Sequence, residues 1–390
     1  MDKTEKLFEK DSHIKTFSAK VLDCSNRDNG HAVILDRTAF FPEGGGQPAD
    51  TGSLDGVRVT DVHEKDGTII HTVESPIEAG KTVQGEIDWE SRLTHMQQHS
   101  GEHILSGIVH ELYGYDNVGF HIGREATTLD FSGELDEADI EKIESRANEA
   151  VYANIPVNTS FPPQRELEKL AYRSKKEISG DVRIVTIPGY DCCACCGTHV
   201  KTTGEVGAIK IVSSQRYKGG TRIGIVCGKR AISDYRAKQE SVTEISVMLS
   251  AKQGEVGNAV QNLLDEAARL RENIREIQTR LFECKAAQVQ TGAESVCLFE
   301  EGLSPDDLRQ YCTLLCGRFK RALVFSGSDG NGYKYALGSS DTDIRPFGKE
   351  LNAAFNGRGG GKNDLVQGAI TGKKEDIRQY LCRQDYTCPE

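Results

Sequence analysis

No stretch of this chain is long and apolar enough to cross a bilayer; nothing approaches the roughly 18 uninterrupted apolar residues that a span requires. The N-terminal sequence MDKTEKLFEKDSHIK lacks the apolar core of a secretory signal. These two absences point to the cytosol, where the 12 cysteines stay reduced and serve as metal ligands or buried thiols, not disulfides. A basic excess is missing too. The formal net charge of −11 argues against bulk, non-specific nucleic-acid binding and leaves room only for a local basic face. What the chain does have is globular composition, 37% hydrophobic and 27% charged over 390 residues, enough for two or three domains with cores of their own.

Two pairs of candidate metal ligands stand out, His99-Ser-Gly-Glu-His103 and Cys195-Cys-Gly-Thr-His199. Each pair has helical i, i+4 spacing. Three imidazoles and one thiolate suit a tetrahedral zinc, which takes nitrogen at about 2.0–2.1 Å and sulfur at about 2.3 Å. The pairs lie 92 positions apart (Cys195 minus His103), so the fold and not a local loop must assemble the site. Four ligands can close a structural site, or hold a metal that admits water or substrate by expanding its shell. His95 continues the four-residue recurrence and reads as a polar neighbour or an extra ligand.

The pattern divides the chain into four stretches. Residues 1–90 read as short strands forming a small β-barrel, with Phe17, Ala19 and Val21 alternating and Asp66-Gly67 marking a hairpin. Within it, Phe41-Pro-Glu-Gly-Gly-Gly-Gln47 removes side chains either for a tight turn or for close approach of a backbone or ligand. Residues 91–237 open on a helix capped by Asp88 or Ser91 and ended by Gly114. An acidic helical segment follows at 134–149, then strands over 181–237. From 210 to 237 there are seven Lys/Arg against one Asp, and Arg216, Lys218, Arg222, Lys229 and Arg230 are candidates for phosphate contacts or for a solvated strand edge. Residues 238–291 are helical, and Val256, Val260, Leu263, Ala267, Leu270, Ile274, Ile277, Leu281 and Cys284 form a heptad seam. An antiparallel hairpin and a dimer seam both fit it. Residues 292–390 form an α/β module in which Asn356-Gly-Arg-Gly-Gly-Gly-Lys-Asn-Asp364 reads as a basic, phosphate-facing loop before a helix, with Arg358 and Lys362 adding charge. That loop has no Ser or Thr after its Lys, unlike a nucleoside-triphosphate loop.

The Phe-Pro-Glu-Gly-Gly-Gly-Gln stretch, the HxxxH pair, and Cys-Cys-Gly-Thr-His-Val followed by Gly204-Glu-Val-Gly resemble the editing domain of alanyl-tRNA synthetase. They resemble still more its free-standing relatives, the AlaX-type alanyl-tRNA editing proteins, and the C-terminal glycine-rich segment resembles the DHHA1 domain of the long AlaX form. The resemblance implies an α+β chain: an N-terminal β-barrel domain (1–90), a zinc-containing editing domain with an antiparallel sheet and the HxxxH helix (91–237), a helical hairpin or coiled-coil linker (238–291) and a DHHA1-like domain (292–390).

That resemblance also implies a function. The family hydrolyses the ester joining a wrong amino acid to tRNA(Ala), serine first and glycine second, and no amino-acid-activating core precedes the barrel, which speaks against ligase activity. One zinc per chain falls on His99, His103, Cys195 and His199. Gly45, Gly46 and Gln47 line the pocket, with Gln47 positioning the reacting ester. Thr38 falls where a hydroxyl reads the serine side chain; a pocket built around such a hydrogen bond rejects an analogue lacking it by roughly 10⁴–10⁵. The acceptor end of tRNA(Ala) is the implied partner, with Arg216, Lys218, Arg222, Arg358 and Lys362 as its candidate contacts. A homodimer through the helical segment or the C-terminal domain is compatible with the long form. Glu102, Asp130 and Asp191 are the candidate general bases. Cys196 stands where the family has glycine, and with Cys192 and Cys193 it reads as a small buried residue or a competing thiol. Two other readings compete: a structural zinc protein that binds tRNA without chemistry, and a DHHA1-bearing phosphodiesterase, whose Asp-His-His triplet this sequence lacks.

Overall fold

The computed structural model describes residues 3–27, 30–174, 182–289 and 292–389. The ends at 181 and 291 of two expected stretches lie outside the described residues. The chain divides into two compact units, Met1–Ile245 and Ser246–Glu390.

Unit one opens with six strands, β1 (Thr16–Arg27), β2 (Gly30–Leu35), β3 (Gly52–Leu54), β4 (Val57–Lys65), β5 (Thr68–Val73) and β6 (Thr82–Ile87). They pair in the order β1–β2–β5–β4–β3–β6, and β6 returns to β1, so the ring is closed. Closure removes the free edges that a short-stranded sheet would otherwise expose. Alternation drives it: Phe17, Ala19 and Val21 on β1 point inward with Val33, Leu35, Leu54, Val59, Val62, Ile69 and Val73. Asp66 and Gly67 both adopt positive φ, the backbone a two-residue hairpin turn needs.

Helix α1 (Trp89–Tyr113) follows at once. Asp88 caps it by accepting the Ser91 N–H at 3.3 Å, and Gly114, at φ 70°, ends it. The helix is buried at Arg92 and continuously from His95 to Val109 because it runs through the centre of the unit. One side packs Met96, Ile104, Leu105, Ile108 and Val109 against an antiparallel sheet and a second helix. That sheet has the order β12 (Ile209–Tyr217), β13 (Gly220–Cys227), β8 (Thr127–Phe131), β7 (Asn117–Ile122), and the second helix is α2 (Glu137–Ala153). Each such apolar side chain contributes about 1.5–3 kcal/mol on full burial. A small sheet, β9 (Asn158–Ser160), β10 (Ile184–Ile187) and β11 (Asp191–Ala194), carries the chain into the Cys195 loop. The ring and α1 are joined by a buried ion pair: Arg92 binds Asp50, and donates to the Ser12 carbonyl at 2.8 Å and the Ala39 carbonyl at 2.6 Å. The last helix of this stretch, α3 (Lys229–Met248), starts at Lys229, so Lys229 and Arg230 sit on its first turn and not on a strand.

Unit two contains α4 (Val256–Gln288), β14 (Ser295–Glu300), α5 (Pro305–Cys316), β15 (Arg321–Ser328), β16 (Gly332–Ser339), α6 (Arg345–Ala354), β17 (Arg358–Gly361), β18 (Leu365–Ile370) and α7 (Lys374–Cys382). Its sheet order is β14–β15–β16–β18–β17, parallel only between β14 and β15. On α4 the heptad residues Val260, Leu263, Leu270, Ile274, Ile277 and Leu281 are exposed, whereas Phe282 stacks on Tyr311 of α5 at 4.7 Å. The glycine-rich segment departs from expectation. Residues Arg358–Gly361 are the edge strand β17, antiparallel to β18, and a strand, not a helix, follows. The reason is close packing: a Cβ at Gly359 would lie 2.5 Å from the Gln367 carbonyl oxygen, and one at Gly361 2.1 Å from that of Leu365. No described helix is long and apolar enough to cross a membrane.

Candidate metal centre

His99 and His103 project from the same face of α1. Cys195 and His199 come from the turn after β11, which is not helical. The i, i+4 spacing of that second pair therefore reflects a loop and not a helix. Gly197 makes the loop possible: a Cβ there would sit 2.1 Å from Cε1 of His99. Arg183, itself buried, pins the turn by donating to the carbonyls of Cys195 and Gly197, both at 2.9 Å.

The four ligand atoms converge. His99, His103, Cys195 and His199 each offer one atom, and all lie within 4.8 Å of one another. The Cys195 Sγ is 3.4 Å from Nε2 of His99 and 3.4 Å from Nε2 of His199. Each imidazole is held from behind through Nδ1. His99 Nδ1 meets Gln47 Oε1 at 2.8 Å, His103 Nδ1 meets Asp191 Oδ2 at 2.8 Å, and His199 Nδ1 meets Ser100 Oγ at 3.1 Å. A ring that donates its Nδ1 proton to such a partner keeps the Nε2 lone pair for a metal. Phe120 stacks on His99 at 4.9 Å and closes one side. The set can hold a metal ion.

Electrostatics agree in part. Burial lowers His103, but Glu102, Asp191 and Cys195 outweigh it and raise it well above its ordinary value, so a metal bound there would displace a proton from it. Burial pushes the Cys195 thiol up, but the surrounding imidazoles, His99 foremost, outweigh it and hold it well below its ordinary value. Cys195 is thus the thiolate of the group. Burial lowers His199 to about 3, keeping it neutral. Cys193 also lies near His103 and Asp191, but burial pushes it up to about 11, so it stays a thiol. Cys196 is exposed and Cys192 half-buried, and neither belongs to the four-ligand group. His95 is buried but also stands outside it.

Gly45 and Gly46 both take positive φ, and a Cβ at Gly46 would strike the Phe120 carbonyl oxygen at 2.4 Å. Gly46 thus lets the ring pack against β7 beside the candidate metal centre. Gln47 is 1% exposed and makes three hydrogen bonds: Nε2 donates to Thr198 Oγ1 at 2.8 Å, and Oε1 accepts from His99 and from the Thr198 N–H. It supports His99, a candidate ligand; the sequence suggested contact with an ester. Thr38 is fully buried; its Oγ1 lies 2.8 Å from His71 Nε2 and accepts the Phe40 N–H at 3.1 Å. His71 Nδ1 faces the Val33 carbonyl at 3.1 Å, and burial lowers His71 to about 4, so its neutral ring accepts the Thr38 hydroxyl proton.

The three candidate bases are all engaged. Asp191 holds His103 and a bidentate Arg173 (2.8 and 3.0 Å). Asp130 is paired with Arg222 at 2.6 and 2.8 Å. Glu102 accepts from Ser106 and Asn117, both at 2.7 Å, and its Oε2 lies 3.8 Å from His103 Nε2. Among the candidate RNA contacts, Arg222 spends its charge on Asp130 and stacks on Tyr217. Arg216 and Lys218 remain on the exposed tip of the β12–β13 hairpin, Arg216 with Glu134 at 3.2 Å. Arg358 and Lys362 are exposed at the two ends of β17. Sequence reasoning missed Arg173, Arg183, Ser100, Phe120 and His71. None belongs to a motif, and only tertiary placement gives them work.

Comparison with known proteins matches this geometry. A family model described as the threonyl and alanyl tRNA synthetase second additional domain matches residues 182–224, which carry Cys195 and His199. One described as tRNA synthetases class II (A) matches residues 4–91, and the DHHA1 domain matches residues 289–384. The alanyl-tRNA editing protein AlaX-L of Pyrococcus horikoshii is 30% identical over 394 residues, 96% of this chain and 96% of that protein. The chain belongs to the long-form AlaX family of alanyl-tRNA editing proteins. It is also 30% identical to the alanine–tRNA ligase of Pyrococcus abyssi and 32% identical to that of Pyrococcus furiosus, over 95% and 94% of this chain but only 42% of each ligase. The alignment thus covers 96% of the editing protein but less than half of each ligase.

Proposed function

We propose that this AlaX-family protein is a zinc-dependent deacylase acting in trans in the cytoplasm, hydrolysing the ester of mischarged tRNA(Ala), seryl first and glycyl second. One observation carries the reading: three Nε2-presenting imidazoles and one thiolate converge, each ring locked through its far nitrogen. The two sulfur-to-nitrogen separations of 3.4 Å match the edge of about 3.5 Å of a tetrahedron with zinc-like bond lengths. A bound zinc would polarise and orient the aminoacyl ester. Its surroundings then do the rest: Gln47, Asp191 and Ser100 fix the ligand rings, and Gly46 lets the ring approach Phe120 without a side chain.

Thr38 supports serine selectivity. A hydroxyl has one proton and two lone pairs. The proton goes to His71 and one lone pair to the Phe40 N–H, which leaves one acceptor for the hydroxyl of a serine side chain. Alanine, the correct amino acid, has no such donor. Arg216 and Lys218, and separately Arg358 and Lys362, are the side chains we assign to RNA phosphates. The exposed apolar seam of α4 is the surface we assign to a second copy of the chain.

One observation favours the rival, a structural zinc site in a tRNA-binding protein: four protein ligands complete a tetrahedron, and the three histidines are 2–3% exposed. Incubation with tRNA(Ala) charged separately with serine, glycine and alanine, with and without chelator, decides between them. Metal-dependent release of serine with alanine spared supports the deacylase. No release from any of the three supports the structural reading.

A further inference from the structure

A second set of metal-ligating side chains lies on the Nδ1 side of His103 and shares that histidine. On β11, Asp191 and Cys193 are two residues apart, so they face the same side of the strand; both are buried, whereas Cys192 and Ala194 are half-buried. That side meets α1 because Gly107 carries no side chain: a Cβ there would lie 2.1 Å from the Tyr190 carbonyl oxygen and 2.9 Å from Cβ of Asp191. His103, Asp191 and Cys193 each offer one ligand atom, and the three lie within 4.8 Å of one another. Imidazole, carboxylate and thiolate are donors that zinc accepts. A cavity of about 560 Å³, lined in part by Arg173, Asp191 and Cys192, offers an ion a route to them.

Arg173 closes this set. Its backbone is stitched to β11, donating its N–H to the Cys192 carbonyl at 2.8 Å and accepting the Ala194 N–H at 2.9 Å, which places it opposite Cys193. Its guanidinium forks onto Asp191, Nε to Oδ1 at 2.8 Å and Nη2 to Oδ2 at 3.0 Å. Oδ2 also accepts from His103 Nδ1 at 2.8 Å, so both carboxylate oxygens are engaged. A guanidinium keeps its charge, and a fixed cation repels a metal on either side of His103. The effect falls hardest on the set that contains Asp191, because a metal there must displace a bidentate, charge-assisted pair. At the four-ligand set the same pair only orients the His103 ring.

Taking the zinc site proposed above as the basis, we propose that Arg173 is a positioning residue that decides which set the metal occupies. It denies zinc the set of His103, Asp191 and Cys193, and so directs it to His99, His103, Cys195 and His199. Without the fork, Asp191 is free to take up a metal with Cys193, whose thiol proton is released to solvent. His103 joins them through Nδ1, and its proton moves to Nε2. A neutral imidazole presents one bare nitrogen at a time, so occupation of either set takes His103 from the other.

The test uses the full chain carrying Cys195→Ser and His199→Ala, which leaves the four-ligand set with two histidines. Zinc affinity is read by chelator competition and the zinc shell by X-ray absorption. With Arg173 in place, that chain should hold zinc weakly and show no sulfur. Adding Arg173→Met should raise zinc affinity at least about tenfold, since a cation is removed from beside the metal. It should also bring in one sulfur scatterer at about 2.3 Å, and adding Cys193→Ser should remove that sulfur again. Arg173→Lys, which keeps the charge, should leave sulfur absent. A residue that served folding alone would shift the unfolding midpoint and not the shell. Circular dichroism checks folding, and Arg173→Gln is the second variant if Arg173→Met does not fold. Sulfur already present with Arg173 in place, no sulfur after Arg173→Met, or sulfur that survives Cys193→Ser would each overturn the proposal. The wild-type chain, measured alongside, reports separately on the four-ligand zinc site; failure to bind zinc there would sink both.

Discussion

Replacing Gln47 by alanine separates a residue that supports the metal from one that touches the substrate. The side chain makes three hydrogen bonds: it donates to Thr198 Oγ1 at 2.8 Å and accepts from His99 Nδ1 at 2.8 Å and the Thr198 N–H at 3.3 Å. Alanine leaves the His99 Nδ1–H and the Thr198 N–H without this partner in a buried setting. His99 is then free to rotate or to adopt the other tautomer. Loss of such a supporting partner lowers metal affinity about 10–100-fold, or about 1.4–2.7 kcal/mol. Each buried donor left unpaired costs about a further 1–3 kcal/mol of folding stability. Competition between the protein and a chromophoric chelator measures zinc affinity directly. Urea melts of the zinc-loaded and chelated forms measure the stability term. Should Gln47→Ala keep its zinc affinity within about twofold while deacylation disappears, Gln47 acts on the substrate and the structural assignment is refuted.

Other perturbations read different parts of the molecule. Gly197→Ala places a methyl 2.1 Å from His99 Cε1, so the purified variant should carry well under one zinc per chain by elemental analysis. Gly45→Ala, with nothing within 4 Å but φ at +60°, should keep its zinc and lose only about 1 kcal/mol of stability. Asp50→Ala strands the buried Arg92 guanidinium and should cost about 3–5 kcal/mol in denaturant titration. His71 supplies a pH dependence. Its folded value is lowered to about 4 by burial, so between about 6.5 and 4 the unfolded chain binds a proton that the folded one refuses. That contribution is complete above pH 6.5 and falls as the pH drops through the window, by about 3 kcal/mol in total. The slope should flatten in His71→Gln; an unchanged slope contradicts the assignment.

The four side chains that cluster were legible in the sequence because histidine and cysteine at these spacings are chemically rare company. What stands behind them was not. Asp191, Gln47 and Ser100 come from three segments, and nothing local to any of them marks an imidazole partner. Helix α1 was readable at both ends, since Asp88 and Gly114 are local capping signals. Strands β7 and β8, between α1 and α2, went unread. The triple glycine at 44–46 read equally as a tight turn or as room for close approach, and both are present: Gly44 and Gln47 exchange backbone hydrogen bonds across a turn, and Gly46 alone meets the backbone of Phe120. The glycines at 359–361 meant the same thing in a different setting. There the neighbour is strand β18, and glycine content alone does not distinguish a loop from an edge strand pressed against backbone. Arg222 was chosen for its charge, which the cross-strand Asp130 consumes.

X-ray absorption at the zinc edge tests the central claim most directly. Convergence of His99, His103, Cys195 and His199 requires one zinc per chain, with three nitrogen scatterers at about 2.0–2.1 Å and one sulfur at about 2.3 Å, the sulfur lost in Cys195→Ser. Two or more sulfurs, or a first shell unchanged in Cys195→Ser, would contradict it.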